Sequence, residues 1–204
     1  MLIDEIGFGF MFAPRYHAAT RFVVPVRKAL AVRTAFNFLG PLTNPAGAGH
    51  QLIGVSDPHF QEIVAQALAE LGTVHSMVVH GMDKLDELSA THTTRVTEVR
   101  GSQIETHEVT PEDLGLERVE PGRFSAGDPQ QNAATTRAVL SGSDGPDRTL
   151  TIINAAAAIY VGGKADSLAD GVQKATQSID SGAAHDKLEQ FVERSQILSK
   201  QGNP

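Results

Sequence analysis

The segment Met82-Asp83-Lys84-Leu85-Asp86-Glu87 gathers three carboxylates, and two of them, Asp86 and Glu87, are adjacent. Hard oxygen ligands of this kind suit Mg²⁺, which binds through one or two protein carboxylates and keeps several waters. A solvated acidic loop is the alternative, because charges in loops commonly decorate the surface. A cationic group stands earlier in the chain, where Arg27 and Lys28 follow Pro25 and Arg33 comes roughly a helical turn or more later. Guanidinium groups so placed could clamp a carboxylate through paired hydrogen bonds, with a solvated helical face as the alternative. The eight histidines include no His-x-x-x-His pair, so a histidine zinc site has little support. With no cysteine in the chain, disulfides, thiolate nucleophiles and Cys-ligated zinc are excluded, and any metal must bind through oxygen or imidazole.

The elements that must position these groups belong to an ordinary globular chain of 204 residues, 41% hydrophobic and 20% charged, which is enough for one to two domains. A net charge of -7 and a pI of about 5.6 argue against nucleic-acid binding, which needs clustered Lys and Arg. No apolar run approaches the roughly 18–20 residues of a membrane-spanning helix, and no signal peptide opens the chain, so a cytoplasmic protein without a membrane partner is expected.

Asp57-Pro58, followed by Phe60, Ile63, Val64, Ala67, Leu68 and Leu71, combines an N-cap, a first-turn proline and helical apolar spacing. The runs Gln51 to Val55 and Ser76 to Gly81 read as strands on either side of that helix, giving a βαβ unit with parallel strands. Ligands of such sheets bind beyond the C-terminal ends of the strands, where Asp83, Asp86 and Glu87 fall. Arg95 to Val109, turning at Gly101-Ser102, predicts an antiparallel hairpin at a sheet edge. Helix starts are expected at Thr110 to Asp113, Asp128 to Gln131 and Ser167 to Asp170, each with a cap and an acid or amide three residues later. Leu150 to Val161 predicts a helix buried on all sides, and Ser178 to Leu198 a terminal amphipathic pair. Ile6 to Phe12 reads as part of a core.

Several strings together resemble the anthranilate phosphoribosyltransferases: Gly9-Phe10-Met11-Phe12-Ala13-Pro14 with His17, Val26-Arg27-Lys28, and Arg33-Thr34 with the run Phe36 to Pro45. The resemblance continues through Gln51 to Val55, Val79-His80-Gly81, Leu85-Asp86-Glu87, Gly127-Asp128 with Asn132-Ala133, and Asn154 to Ala158. It implies transfer of a phosphoribosyl group from 5-phosphoribosyl-1-pyrophosphate to the amine of anthranilate in tryptophan biosynthesis, with Mg²⁺ on the donor's pyrophosphate. Asp86 and Glu87 match the family's magnesium-binding pair. Arg27 matches the arginine that faces the anthranilate carboxylate, while His17 and Pro41 match residues along the acceptor's approach path.

The implied fold is α/β of the nucleoside-phosphorylase-like type, a mainly parallel sheet with flanking helices plus part of a small helical domain. On this division residues 1–23 belong to the α/β domain, 24–47 supply helices of the small α-domain, and 48–204 form the phosphoribosyltransferase domain. A homodimer is the expected assembly. Two departures stand out: Ala18 follows His17 where the family commonly has proline, and no Gly-Thr-Gly-Gly-Asp loop occurs anywhere. In the family that loop cradles the donor's phosphates through backbone N–H groups. The expectation is therefore a chain that holds the acceptor and metal half of the site, is inactive alone, and leaves sheet edges open. A noncatalytic paralogue or assembly module is the alternative, and a pyrimidine-nucleoside phosphorylase a more remote one because of the Phe36 to Pro45 string.

Overall fold

The computed structural model describes residues 2–11, 40, 42–44, 46–124 and 127–201. They fall into two compact units, Met1–Pro45 with Ala183–Pro204, and Ala46–Gly182.

In the first unit, α1 (Leu2–Ile6) packs on α6 (Ala183–Lys200). Phe8 meets the Phe191 ring edge-on at 5.0 Å, Arg194 Nε donates to Glu5 at 2.6 Å, and Lys187 donates to the Ile6 carbonyl at 2.6 Å. The apolar start does not form a closed core among the described residues, since Phe10 keeps 68% of its surface exposed and Phe8 keeps 46%.

The second unit is an α/β sandwich. It contains β1 (His50–Gly54), α2 (Gln61–Glu70), β2 (His75–Gly81), β3 (Thr94–Arg100), β4 (Gln103–Val109), α3 (Pro129–Leu140), α4 (Pro146–Val161) and α5 (Leu168–Asp180). Its four strands lie in the order β1-β2-β3-β4. β1 pairs with β2 in parallel, with Ile53 opposite Val78, as the βαβ reading requires. The hairpin turns at Gly101-Ser102 as expected and adds two antiparallel pairings, making the sheet mixed. All seven residues of β2 are buried. Because side chains alternate between faces, such a strand needs cover on both sides, and α2 and α4 both pack on it. Its two histidines are satisfied: His80 Nδ1–H donates to the Val55 carbonyl at 2.7 Å, and His75 meets Glu98 at 2.6 Å, whereas the buried Ser76 hydroxyl has no side-chain hydrogen bond among the described residues. Burial alone would raise the Glu98 carboxyl, but His75, Arg100 and Tyr160 together bring it below its ordinary value.

Local details depart from the sequence reading in physically informative ways. Asp57 caps a 3₁₀ turn, Pro58–Phe60, and α2 proper starts only at Gln61. The helix therefore buries Gln61, Val64, Ala65 and Leu68, while Ile63 and Leu71 face outward. Thr110 to Asp113 makes a single 3₁₀ turn, Glu112–Leu114. The box at Asp128 and Gln131 forms as predicted, and Ser167 accepts from the Asp170 N–H. α4 begins at Pro146, earlier than predicted, and buries Ile152, Ile153, Ala156, Ala157 and Val161 on one stripe rather than all round.

The alanines of α4 have a packing reason. A Cβ placed on Gly171 of α5 would lie 2.5 Å from the Ala156 carbonyl oxygen, so the two helices touch backbone to backbone. Gly171→Ala is expected to force them apart and destabilise the fold by ~1–3 kcal/mol, despite alanine's better helix propensity. Urea denaturation reads this directly, and an unchanged midpoint would show that the contact can relax.

Candidate functional site

Beyond the ends of the parallel strands the chain makes a loop whose two flanks are pinned and whose centre is open. On the first flank the Gly81 N–H donates to the Leu85 carbonyl at 2.9 Å and the Lys84 N–H to the Gly81 carbonyl at 2.8 Å. Lys84 adopts a positive φ of 73°, an unfavourable conformation for a residue with a Cβ. On the second flank Leu88, fully buried, is held by Asn154 of α4: the Leu88 N–H donates to Asn154 Oδ1 at 2.9 Å, and Asn154 Nδ2 donates to the Leu88 carbonyl at 3.0 Å. Asn154 also donates to Leu150 within its own helix at 3.0 Å.

The three carboxylates of this loop divide in function. Asp83 turns inward and accepts from Ser89 Oγ at 2.7 Å and Thr91 Oγ1 at 2.5 Å. Burial works to raise its pKa, but these hydroxyls and the backbone N–H groups of Leu85 and Asp83 hold it below the ordinary aspartate value. It is a brace for the loop. Asp86 and Glu87, between the pinned flanks, are exposed. Partial desolvation, then the neighbouring Asp86 charge, raises the Glu87 carboxyl above its usual value. A carboxylate whose ionised form is disfavoured in this way is what a divalent cation relieves. Among the described residues no group of three or more His, Asp or Glu could close around a metal ion. A cation held by Asp86 and Glu87 would thus complete its shell with waters or a ligand's oxygens, the habit of Mg²⁺.

A third fixed point has no counterpart in the sequence reading. A Cβ placed on Gly54, the last residue of β1, would fall 1.6 Å from the Asp86 carbonyl oxygen and 2.5 Å from its carbon. Only a residue without a side chain lets the loop lie this close to the strand end. The sequence offers a hint for Asn154, an amide set between Ile152-Ile153 and the alanines Ala155 to Ala158, which must find partners if partly buried. For Gly54 it offers none beyond the glycine itself. Further along, the α3 start is closed by its own groups: Asp128 accepts from Gln130 and Gln131, while Asn132 exchanges two hydrogen bonds with Gly127 at 3.1 Å. His17, Arg27 and Pro41 lie outside the described residues.

The family model described as "Glycosyl transferase family, a/b domain" matches residues 1–185, and the chain belongs to that family. Within it, the chain is similar to anthranilate phosphoribosyltransferases: it is 46% identical over 194 residues to the one from Desulfatibacillum aliphaticivorans, covering 95% of this chain and 57% of that protein. The enzyme of that name from Rubrobacter xylanophilus is 49% identical over 201 residues, with 98% and 59% covered. Among solved structures, anthranilate phosphoribosyltransferase from Thermus thermophilus superposes with a TM-score of 0.87 at 42% identity, covering 94% of this chain and 57% of that one. The Saccharomyces cerevisiae enzyme, in complex with PRPP and Mg, gives 0.85 at 29% identity, covering 94% and 56%. The fold class is thereby the expected nucleoside-phosphorylase-like one. The chain spans less than two thirds of the length of these relatives.

Proposed function

We propose that this chain carries the acceptor and metal half of an anthranilate phosphoribosyltransferase, a pentosyltransferase that moves the phosphoribosyl group of 5-phosphoribosyl-1-pyrophosphate onto the anthranilate amine. The observation that carries the reading is the exposed Asp86-Glu87 pair, standing at the C-terminal sheet edge on a loop pinned from both sides. Mg²⁺ fits that pair by the chemistry of its donors, and when bound it would neutralise the departing pyrophosphate. Asp86 and Glu87 would hold it. Arg27 would receive the anthranilate carboxylate, and His17 and Pro41 would line the acceptor's approach. In the reaction the amine nitrogen bonds to the ribosyl anomeric carbon as the bond to pyrophosphate breaks, and the amine loses a proton to solvent. Positioning and electrostatics supply the catalysis, with no general base assigned.

The remaining expectations belong to the same reading: a cytoplasmic homodimer, with residues 24–47 contributing helices to a small α-domain beside the α/β domain. No helix among the described residues is long and apolar enough to cross a membrane. The 204 residues contain no Gly-Thr-Gly-Gly-Asp loop, so the chain alone is expected to bind anthranilate and divalent cation without turnover. The test mixes purified chain with anthranilate, 5-phosphoribosyl-1-pyrophosphate and Mg²⁺ and follows anthranilate fluorescence. Magnesium-dependent loss of signal would mean that a donor site is supplied within the assembly. A flat trace with intact anthranilate binding supports the half-site, and the noncatalytic module with it. A folded protein that binds neither anthranilate nor divalent cation would end the reading.

A further inference from the structure

We infer that Asn154 is a positioning residue for the metal pair: its carboxamide sets the place and orientation of Glu87 and Asp86 by gripping both backbone groups of Leu88. The inference rests on the metal assignment proposed above and adds the device that makes the pair rigid. A carboxamide that accepts from a residue's N–H at 2.9 Å and donates to its C=O at 3.0 Å fixes that residue much as a neighbouring strand would. Here the gripped residue directly follows Glu87, and the grip reaches across 66 positions of sequence from a helix whose Ile152, Ile153, Ala156 and Ala157 are in the core. The third Asn154 bond, to the Leu150 carbonyl at 3.0 Å, fixes the side chain against its own helix, so the amide cannot swing with the loop.

From the other side Gly54 admits the Asp86 carbonyl against the end of β1. Asp86 and Glu87 are thus suspended between a strand end and a core helix, and two exposed carboxylates whose loop would otherwise wander are referenced to the rigid body of the unit. Outer-sphere partners of this kind hold ligating groups in the geometry a cation demands.

A purely structural Asn154 would satisfy the Leu88 backbone and lower stability when lost, but would leave cation affinity alone. The two roles separate in a titration of the whole chain with Mn²⁺, followed by electron paramagnetic resonance, alongside thermal melts. Asn154→Leu, close in size and uncharged, is expected to weaken Mn²⁺ binding by roughly tenfold or more at a temperature where circular dichroism shows it folded. Tyr160→Phe, which removes hydrogen bonds to Glu98 and Arg100 at the far end of the same helix, is expected to lower the melting temperature with Mn²⁺ affinity unchanged. Should Asn154→Leu fail to fold, Asn154→Ser, which replaces the carboxamide by a single shorter hydroxyl, reads the same effect more mildly. Wild-type Mn²⁺ affinity in a folded Asn154 variant, with binding abolished in Asp86→Asn/Glu87→Gln, would overturn the positioning role while leaving the metal site standing. Equal binding by wild type and the double carboxylate variant would instead remove the metal site, and the positioning role with it.

Discussion

Replacing Asp86 by Asn and Glu87 by Gln together is expected to lower divalent-cation affinity by roughly 100-fold or more, beyond the ~10–100-fold typical of losing one outer-sphere partner. The fold should hardly notice. Both side chains are exposed and bounded by backbone contacts they do not make themselves, so the stability change should stay within about 0.5 kcal/mol. Glu87 gives this prediction a pH signature. Desolvation and the Asp86 charge raise its carboxyl, so the folded chain holds a proton there that the unfolded chain releases. Folding therefore loses stability as pH rises from the ordinary glutamate value through the raised one, and a bound cation reverses that loss. Correspondingly, Mn²⁺ affinity should fall as pH is lowered through the raised value, and Glu87→Gln should flatten that part of the profile. Titrations across the acidic range check both statements; a double variant that binds Mn²⁺ like the wild type would sink the assignment.

The second large effect belongs to a residue with no side chain. Gly54→Ala puts a methyl group where the Asp86 carbonyl oxygen stands, 1.6 Å away, and backbone cannot rotate aside as a flexible side chain would. Either β1 or the Asp86-Glu87 loop must shift by more than an ångström. The expected cost is about 3 kcal/mol, at the upper end for overpacking, together with a loss of cation affinity that the carboxylates themselves cannot prevent. In an intact transferase, a displacement of this size in a positioned group costs on the order of 10²-fold in rate. Thermal melts and Mn²⁺ titration together test it, and a variant that melts and binds like the wild type would show that the strand end does not hold the loop.

These two sites differ in how far the sequence announces them. Asp86 and Glu87 are legible because adjacent carboxylates after a buried strand follow from local pattern, as do β1, β2, the hairpin turn at Gly101-Ser102 and the caps at Asp128 and Ser167. Asp83 looks identical to them. What sets it apart are hydroxyls six and eight residues on, Ser89 and Thr91, and no spacing rule says which hydroxyl will fold back onto which acid. Apolar spacing counted from Pro58 places Ile63 and Leu71 in the core of α2. A 3₁₀ turn there shifts the phase, turns those two outward and brings Gln61 in to donate to the Val78 and Arg95 carbonyls. Gly54 and Asn154 act through tertiary contacts alone, so their neighbours exist only once the sheet and α4 are assembled.

β1 pairs with β2 on one side, and among the described residues no strand lies on its other side. The Val55 N–H bonds toward β2, at the Val79 carbonyl. Successive N–H groups alternate direction along a strand, so those of Ile53 and Gln51 point the same way, and those of Leu52 and Gly54 point outward. The outward pair is where deuterium would enter this strand first. It is also where a foreign strand, or a second copy during concentrated refolding, would find a ready template. The β4 side answers the same hazard with composition, presenting Glu105, His107 and Glu108 to solvent, whereas β1 carries no charged residue but a histidine at its first position.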